Sequence, residues 1–259
     1  MSRTWTFSDV EFVSLWEGVT KEFLPPPLTF SSLTPRYDDY VREMFETRKQ
    51  LRTTLDPNFD IALHAISQPD IRICAQGWDG LDPENPKRCV RVLGTLQGQR
   101  GYVTRQIPGE TIWHSAGFTV TECDVLGLSA AVVNCLPDVG AGRRGDIVLP
   151  VPCEDMDYRY GRSSVVRSID DTSDSRSDTF LREPASSIGT IAVVQGRSLY
   201  GPRGITEHTI AWRDIIDDGR YAIPPGNPPT AYGVDTKRLT ETINVCVAEV
   251  VRMIEDELA

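Results

Sequence analysis

The feature that most constrains the fold of this chain is a change in the spacing of its apolar residues near position 70. Before that point, apolar residues recur every three or four positions, which is typical of amphipathic helices. In "DIRICAQGW", by contrast, Ile71, Ile73 and Ala75 alternate with other residues, which is the spacing of a strand with one buried face. Alternating segments follow at "CVRVLGTL", "GYVTRQ" and "TIWHS", with "QGQRG" as a hairpin loop. Successive strands of this kind predict an antiparallel sheet rather than a parallel one.

Three helices are predicted ahead of these strands. Ser8 and Glu11 stand at capping-box spacing and begin the first helix, which is expected to end near 18–20, before "LPPP". The pairs "TP" at 34–35 and "DP" at 56–57 each combine a cap residue with a proline in the first turn, and so begin a second and a third helix. The second helix is expected to carry an apolar side, formed by Tyr37, Val41, Met44, Phe45 and Leu51.

The same order of elements recurs in the second half of the chain. "GTIAVVQG", "EHTIAWRD" and "GRYAI" are predicted strands, and a long last helix with an apolar stripe begins near Asp235. The first half likewise ends in a helix, "VLGLSAAVVNCL", which begins at a capping signature over 121–124. The chain is therefore predicted to be α+β, with a central antiparallel β-sheet, flanking helical bundles and quasi-two-fold duplicated halves.

The length of the chain suits one large domain or two small ones. We expect a single domain over residues 1–259, with pseudo-halves at 1–150 and 151–259. The segment near 154–187 is rich in Ser, Asp and Arg, and its part "SIDDTSDSRSD" is almost devoid of apolar residues. This composition predicts a mobile loop with at most a short helix near 179–182.

The charge of the chain limits the partners that it can bind. Its 259 residues carry a formal net charge of −10 at pH 7. This acidic balance argues against nucleic acid, whose binding needs a basic face to displace counterions from phosphates, and against an anionic membrane surface. The start, "MSRTWTFSDVEF", is unlike a targeting segment, and no window is long and apolar enough to cross a bilayer. We expect a cytoplasmic protein without membrane insertion.

Motifs for cofactors or covalent catalysis have little support. "GAGRRG" at 140–145 matches the dinucleotide fingerprint by letter, but a predicted helix precedes it and an extended segment follows. A phosphate-binding turn requires the reverse order. The six cysteines lack metal-ligand spacing, and the sequence contains neither a nucleophile elbow nor a P-loop. We therefore expect no cofactor, and interpret "RRGD" at 143–146 as a solvated loop.

The stretch "WRDIIDDGRY" allows two interpretations of its acids. In the first, Asp214, Asp217 and Asp218 form the site of a metal-dependent hydrolase, with His208 as a further candidate. Their spacings of three and one differ from those of a calcium loop, which places acids at alternate positions. In the second, "DG" at 218–219 makes a hairpin turn, and the three acids are turn and surface residues.

The second interpretation also places the aromatic residues of this stretch. Trp212 and Tyr221 would lie on neighbouring strands, on either side of the turn. If the first strand persists, Trp212 and Asp214 point to one side of the sheet and Arg213 to the other. We favour this interpretation, and predict that the protein is not an enzyme.

Both ends of the chain resemble one protein family. "WTFSDVEFVSLWE" is similar to the opening of the EspG family of type VII (ESX) secretion-associated proteins. "AWRDIIDDGRY", followed by a loop and a long C-terminal helix, is similar to a late signature of that family, and "LP" at 136–137 also fits. The resemblance implies a cytosolic chaperone from an actinobacterium. Such a chaperone binds the apolar tip of the PPE protein in a PE–PPE heterodimer and keeps it soluble for export by an ESX system.

The resemblance also implies which parts of the chain contact the client. In the family these are the sheet, the C-terminal helices and a loop between early strands, which here is "DGLDPENPKR" at 79–88. Tryptophan and tyrosine side chains on strands either pack in the core or anchor a partner. The candidate partner-binding residues are Trp78, Asp79, Leu81, Val194, Trp212, Tyr221 and Val247. A dimeric scaffold without a PPE client, and homodimer formation, stay open as alternatives.

Overall fold

A ten-stranded antiparallel sheet organises the part of the chain that the structure describes. The structure is a computed structural model that describes residues 2–150 and 171–259, with the backbone alone at 171–175. The strands are β1 Thr4–Phe7, β2 Ile71–Asp79, β3 Val90–Gln97, β4 Arg100–Pro108, β5 Ser115–Cys123, β6 Ile147–Val148, β7 Ala185–Gln195, β8 Glu207–Ile215, β9 Gly219–Ile223 and β10 Thr230–Gly233. The α-helices are α1 Asp9–Thr20, α2 Tyr37–Leu51, α3 Pro57–Ser67, α4 Leu128–Val133, α5 Asp171–Arg182 and α6 Thr236–Leu258.

The sheet is built outward from a central strand pair. Its strand order is β1-β5-β4-β3-β2-β7-β8-β9-β10-β6, and each neighbouring pair is antiparallel. At the centre, β2 and β7 pair along their length, from Ile71 opposite Gln195 to Asp79 opposite Ser187. The predicted α+β architecture with a central antiparallel sheet is confirmed. The duplication of the two halves and the single domain over 1–259 stay predictions.

The two faces of the sheet are covered differently. On one face, which we call the helical face, the central strands pack against α4 and α6. The last helix contributes a buried stripe there, formed by Leu239, Ile243, Cys246 and Val250, as its sequence period predicts. On the opposite face, α1 and α3 cover the β1–β5 side, and α5 lies over the β8–β10 side. Removal of this apolar surface from water is the main source of stability.

The starts of α1 and α3 agree with their sequence signals. Ser8 Oγ accepts a hydrogen bond from Glu11 N at 3.2 Å, and the Glu11 carboxylate accepts one from Ser8 N at 2.8 Å, so the predicted capping box is present. Asp56 caps α3 through Asn58 N, and Pro57 occupies the first turn.

The second helix departs from its prediction in two ways. It begins at Tyr37, two residues after Pro35, and Arg36 precedes it without a side-chain cap. Its expected apolar side is largely uncovered: Met44 is buried, whereas Tyr37, Val41 and Phe45 are exposed. Helical periodicity of apolar residues is present whether or not another element covers them, so the pattern alone cannot establish burial.

Two further predictions near the first-half helix are corrected. The segment "TIWHS" is a turn between β4 and β5, and Trp113 in it is 60% exposed instead of lying on a strand. The turn is closed by a hydrogen bond from His114 N to Thr111 O. Thr121 belongs to β5, and Asp124 alone caps the short 3₁₀ turn that precedes α4.

The polar segment is more ordered at its C-terminal end than its composition predicts. Residues 171–182 form α5, and β7 begins at Ala185, so the expected mobile loop is wrong for this part. The buried Phe180 packs edge-on against Tyr221 and anchors the helix to the sheet. The rest of that prediction, 154–170, lies outside the described residues. Within the described ranges, the structure contains no helix with the length and hydropathy of a membrane span.

Candidate partner-binding site

The "WRDIIDDGRY" stretch forms the hairpin that its sequence predicts. Trp212 lies on β8 and Tyr221 on β9, and Ile215 pairs with Gly219 across the turn. Asp217 has a positive φ of 63°, and Gly219 has a φ of 150°, a backbone region that residues with a side chain rarely adopt. The backbone conformation of the turn therefore accounts for the glycine at position 219.

One of the three acids is not a surface residue, which corrects the sequence interpretation. Asp214 is fully buried on the helical face beside Trp212, and its two oxygens accept hydrogen bonds from Arg220 at 2.7 and 2.8 Å. Burial raises the pKa of the Asp214 carboxyl, and the bonds from Arg220 act against that rise. A carboxylate with both oxygens engaged by one guanidinium has little capacity to hold a metal.

The other two acids serve the turn. Asp217 is exposed, and Asp218 accepts hydrogen bonds from Arg143 N and from the Tyr221 hydroxyl at 2.9 and 2.7 Å. The "RRGD" segment is an exposed loop, as predicted, and Arg144 ties it to the hairpin and to the segment before β7 through ion pairs with Asp218 at 3.0 Å and with Glu183 at 2.7 Å. In the described parts of the chain, no three His, Cys, Asp or Glu side chains converge on a metal position.

Two predicted contact residues are core residues instead. Trp212 is 1% exposed and Tyr221 is 0% exposed. The Trp212 ring lies across two glycines of neighbouring strands, Gly77 and Gly189, and the Arg220 guanidinium stacks 5.0 Å from its centroid. Because these side chains have almost no surface left, we assign them to packing and not to partner contact.

The loop after β2 is held in one shape by Asp79. One carboxylate oxygen of Asp79 accepts hydrogen bonds from Leu81 N at 3.0 Å and Asp82 N at 3.3 Å, and the other accepts one from Asn85 Nδ2 at 3.0 Å. Arg88 adds an ion pair at 3.7 Å. The hydrogen bond from Leu81 N is the main cause that lowers the pKa of Asp79. Asp79 is therefore a positioning residue within the loop, because it is itself buried.

The same loop presents an apolar side chain to solvent. Leu81 is 66% exposed at the top of the loop. Apart from one glycine and two prolines, the other residues of the loop are polar or charged, so Leu81 is its one large apolar side chain. A preorganised loop loses little entropy when it binds a partner.

Beside this loop, the ends of three strands surround a cavity of about 450 Å³. It lies where β4 ends, where β3 and β7 begin, and where the chain leaves α4. Its lining consists of Lys87, Arg88, Cys89, Val90, Arg91, Arg105, Gln106, Pro108, Cys135, Leu136, Pro137, Asp138, Val139, Ser186 and Ser187. The cavity volume is in the range of small ligand sites, but its residues come from loops and strand ends at the rim of the sheet.

Two other predicted residues lie on the opposite face of the sheet. Trp78 of β2 pairs with Ile188, and Val194 of β7 pairs with Arg72. Both side chains are half-buried, because this part of the face lies between the α1–α3 and α5 packing regions. They share an open sheet face but stand at opposite ends of the strand pair.

The remaining predicted residue, Val247, lies in a different region from the other candidates. It is half-buried on α6 and packs against the core of the helical face. The structure thus brings Asp79 and Leu81 together in one loop, and it separates Val247 from them. The cavity cations Lys87 and Arg105 were not among the predicted residues, although the basic pair "KR" at the end of the predicted loop was a signal for one of them.

Comparisons with known proteins agree with this architecture. The model of the EspG family matches residues 8–244 of the chain. Among solved structures, the type VII secretion system chaperone EspG5 of Mycobacterium tuberculosis, in complex with the PE25–PPE41 dimer, is similar at a TM-score of 0.56 and 12% sequence identity. The match covers 93% of this chain and 95% of that chain. Comparison with curated proteins gives no match. Since the family model covers most of its length, the chain belongs to the EspG family.

Proposed function

We propose that this protein is a cytoplasmic chaperone of type VII secretion that binds a PE–PPE heterodimer through the apolar tip of its PPE subunit. The chaperone keeps the heterodimer soluble until export and performs no catalysis. Membership of the EspG family and a fold shared with an EspG protein in complex with a PE–PPE dimer support this proposal. The polar body of the protein, with its net charge of −10, favours solubility of the complex.

The observation that carries the proposal is the rigid loop of residues 79–88 beside the cavity. A client with an apolar tip needs an apolar contact with a polar rim, and Leu81 on the Asp79-anchored loop supplies one. The cavity next to it supplies a concave surface with apolar walls at Val90, Leu136 and Val139. We propose this loop and cavity as the client-docking site.

The contacts of Asp214 and Asp218 argue against the alternative of a metal-dependent hydrolase. Arg220 occupies both oxygens of Asp214, and Asp218 is engaged by Tyr221, Arg143 and Arg144. These contacts account for the charge of both carboxylates without a ligand.

One observation supports the alternative that the protein is a dimeric scaffold. Phe23, Leu33 and Tyr37, in and after the connection from α1 to α2, are strongly exposed apolar side chains. Exposed apolar surface of this kind often marks a protein contact. Light scattering of the protein alone tests whether it forms a homodimer.

A loop variant tests the docking site. A Leu81→Asp substitution places a charge on the proposed apolar contact, and we expect it to weaken binding of a PE–PPE dimer about tenfold or more, measured by calorimetry. The matched control is Leu33→Asp, an equally exposed leucine at the α1–α2 connection, which should leave the affinity within about twofold. Equal affinities of the wild type and the Leu81→Asp variant for the PE–PPE dimer would show that the loop is not part of the docking site.

A further inference from the structure

The cavity beside the 79–88 loop differs in charge from the rest of the protein. Four cationic residues line it, Lys87, Arg88, Arg91 and Arg105, and Asp138 is its one acidic residue. The whole chain, by contrast, carries a net charge of −10. A concave cationic site on an acidic protein concentrates the local field and attracts an anionic group.

Two of the four cations are already engaged and form the fixed wall of the cavity. Arg91 is buried and donates to the carbonyls of Pro27 and Ile112 at 2.9 and 3.0 Å. Arg88 donates to Ser186 O at 3.3 Å and pairs with Asp79. The Arg91 guanidinium is therefore held inside the protein, whereas the Arg88 side chain is 58% exposed and is anchored at one end by these contacts.

The other two cations, Lys87 and Arg105, have side-chain donors that are available to a ligand. Among the residues that the structure describes, Lys87 and Arg105 make no side-chain hydrogen bond and no ion pair. Lys87 comes from the loop and Arg105 from β4, so they approach the cavity from two different elements. The same lining includes the apolar residues Val90, Leu136 and Val139. A guest that suits this lining has one anionic group flanked by apolar atoms.

We propose that the cavity binds a carboxylate side chain, an aspartate or glutamate at the edge of the client's apolar tip, through Lys87 and Arg105. This inference rests on the proposed function, because the carboxylate belongs to the client protein. It goes further by naming a polar contact that selects among clients: a PPE tip with an acid at this place is preferred over one without it. Charge complementarity of this kind sets association rate and specificity more than it sets total affinity.

A carboxylate fits the lining better than a phosphate group. Phosphate recognition relies on several free Arg or backbone donors that converge on a group of charge near −2. Here two of the cations are engaged elsewhere, and Asp138 at the rim would repel a dianion more strongly than a single carboxylate.

A charge-reversal pair tests the proposal on the full chain. The double variant Lys87→Glu, Arg105→Glu is titrated with a PE–PPE dimer, encoded in the same genome, that binds the wild type. We expect affinity to fall by about tenfold or more, and the wild-type affinity to weaken as salt rises from about 0.05 to about 0.5 M. The control double variant, Lys49→Glu, Arg203→Glu, reverses the same two charge types at exposed positions outside the cavity and should change affinity by less than about twofold.

A rescue measurement makes the assignment specific. Replacement of the acidic residue of the PPE tip by lysine should weaken binding to the wild type and restore binding to the Lys87→Glu, Arg105→Glu variant. Unchanged affinity in that variant would overturn the carboxylate contact and leave the chaperone function intact. Binding of inorganic phosphate to the protein alone, without any effect of the double variant on the client, would also overturn it. If no encoded PE–PPE dimer binds the wild type, the proposed function fails first.

Discussion

Arg220 donates two parallel hydrogen bonds to Asp214, from Nε to Oδ1 at 2.7 Å and from Nη2 to Oδ2 at 2.8 Å. Both side chains are almost fully buried, and Nη2 also donates to Pro137 O at 2.8 Å. The pair therefore joins the β8–β9 hairpin to the segment that follows α4. Two residues of the family-like "WRDIIDDGRY" stretch thus have a structural role, because they hold the segment after α4 against the hairpin.

Removal of one charge from this pair should destabilise the fold strongly. We expect Asp214→Asn to lower the free energy of unfolding by about 3–5 kcal/mol, because it leaves the buried Arg220 without its counter-charge. Urea denaturation followed by circular dichroism measures the change. The control is Asp217→Asn, an exposed acid in the same turn, for which we expect less than about 0.5 kcal/mol. Similar values for the two variants would contradict the role of the pair.

Gly189 is required by the close approach of the Gln76 carbonyl and of the Trp212 ring. A Cβ atom at Gly189 would clash with Gln76 O, its nearest neighbour, and would lie 2.7 Å from the ring. We expect Gly189→Ala to destabilise the protein by about 1–3 kcal/mol through overpacking. A Gly145→Ala variant is the comparison, since a Cβ there has nothing within 4 Å. Thermal denaturation of both variants is the measurement, and an unchanged midpoint for Gly189→Ala would contradict the close packing of Gln76 O and Trp212 against this position.

The shape of the 79–88 loop should depend on pH through Asp79. Its pKa is lowered from the ordinary value of 3.8, mainly by the hydrogen bond from Leu81 N, so the ionised form is bound more favourably in the folded loop. The stabilisation is complete above the unfolded pKa and is lost as pH falls through the folded pKa. We expect the amide NMR signals of Leu81 and Asp82 to shift in that acid range. The Asp79→Asn variant should lack this response, and a response that persists in it would contradict the assignment.

Glu257 connects the C-terminal end of α6 to the end of β7 and the segment that follows it. Its carboxylate accepts hydrogen bonds from Gln195 Nε2, Ser198 Oγ and Leu199 N at 3.0, 2.9 and 2.9 Å. We expect Glu257→Gln to raise the hydrogen-exchange rate of the Leu199 amide, because a neutral amide is a weaker acceptor than a carboxylate. Glu255→Gln, on an exposed part of the same helix, is the control and should leave that rate unchanged. Equal rates in the wild type and Glu257→Gln would exclude this contact.

Local patterns in the sequence were sufficient to predict most of the sheet. Alternation identified β2, β7 and β8, and "DG" at 218–219 identified the hairpin, because both signals depend on neighbouring residues. The family resemblance was confirmed by the family model. Alternation also placed Trp212 and Asp214 on one side, but it could not say that this side is the interior.

The residues that the sequence did not identify depend on distant contacts. The apolar side of α2 has normal helical spacing, but the contacts of α2 with α1 leave Tyr37, Val41 and Phe45 exposed. The cavity combines a loop, three strand ends and the segment after α4, which come from different parts of the chain. No local pattern in any one of these segments indicates that they meet at one rim of the sheet. The position of Arg105 and Lys87 in the lining of one cavity could therefore be recognised only once the strand order was known.

The most direct test of the chaperone function is co-expression of the protein with each PE–PPE pair encoded in the same genome, followed by size-exclusion chromatography. We expect at least one pair to elute with the protein as a stable, soluble complex, and the Leu81→Asp variant to lose that complex. Separate elution of the protein from every soluble pair would contradict the proposed function.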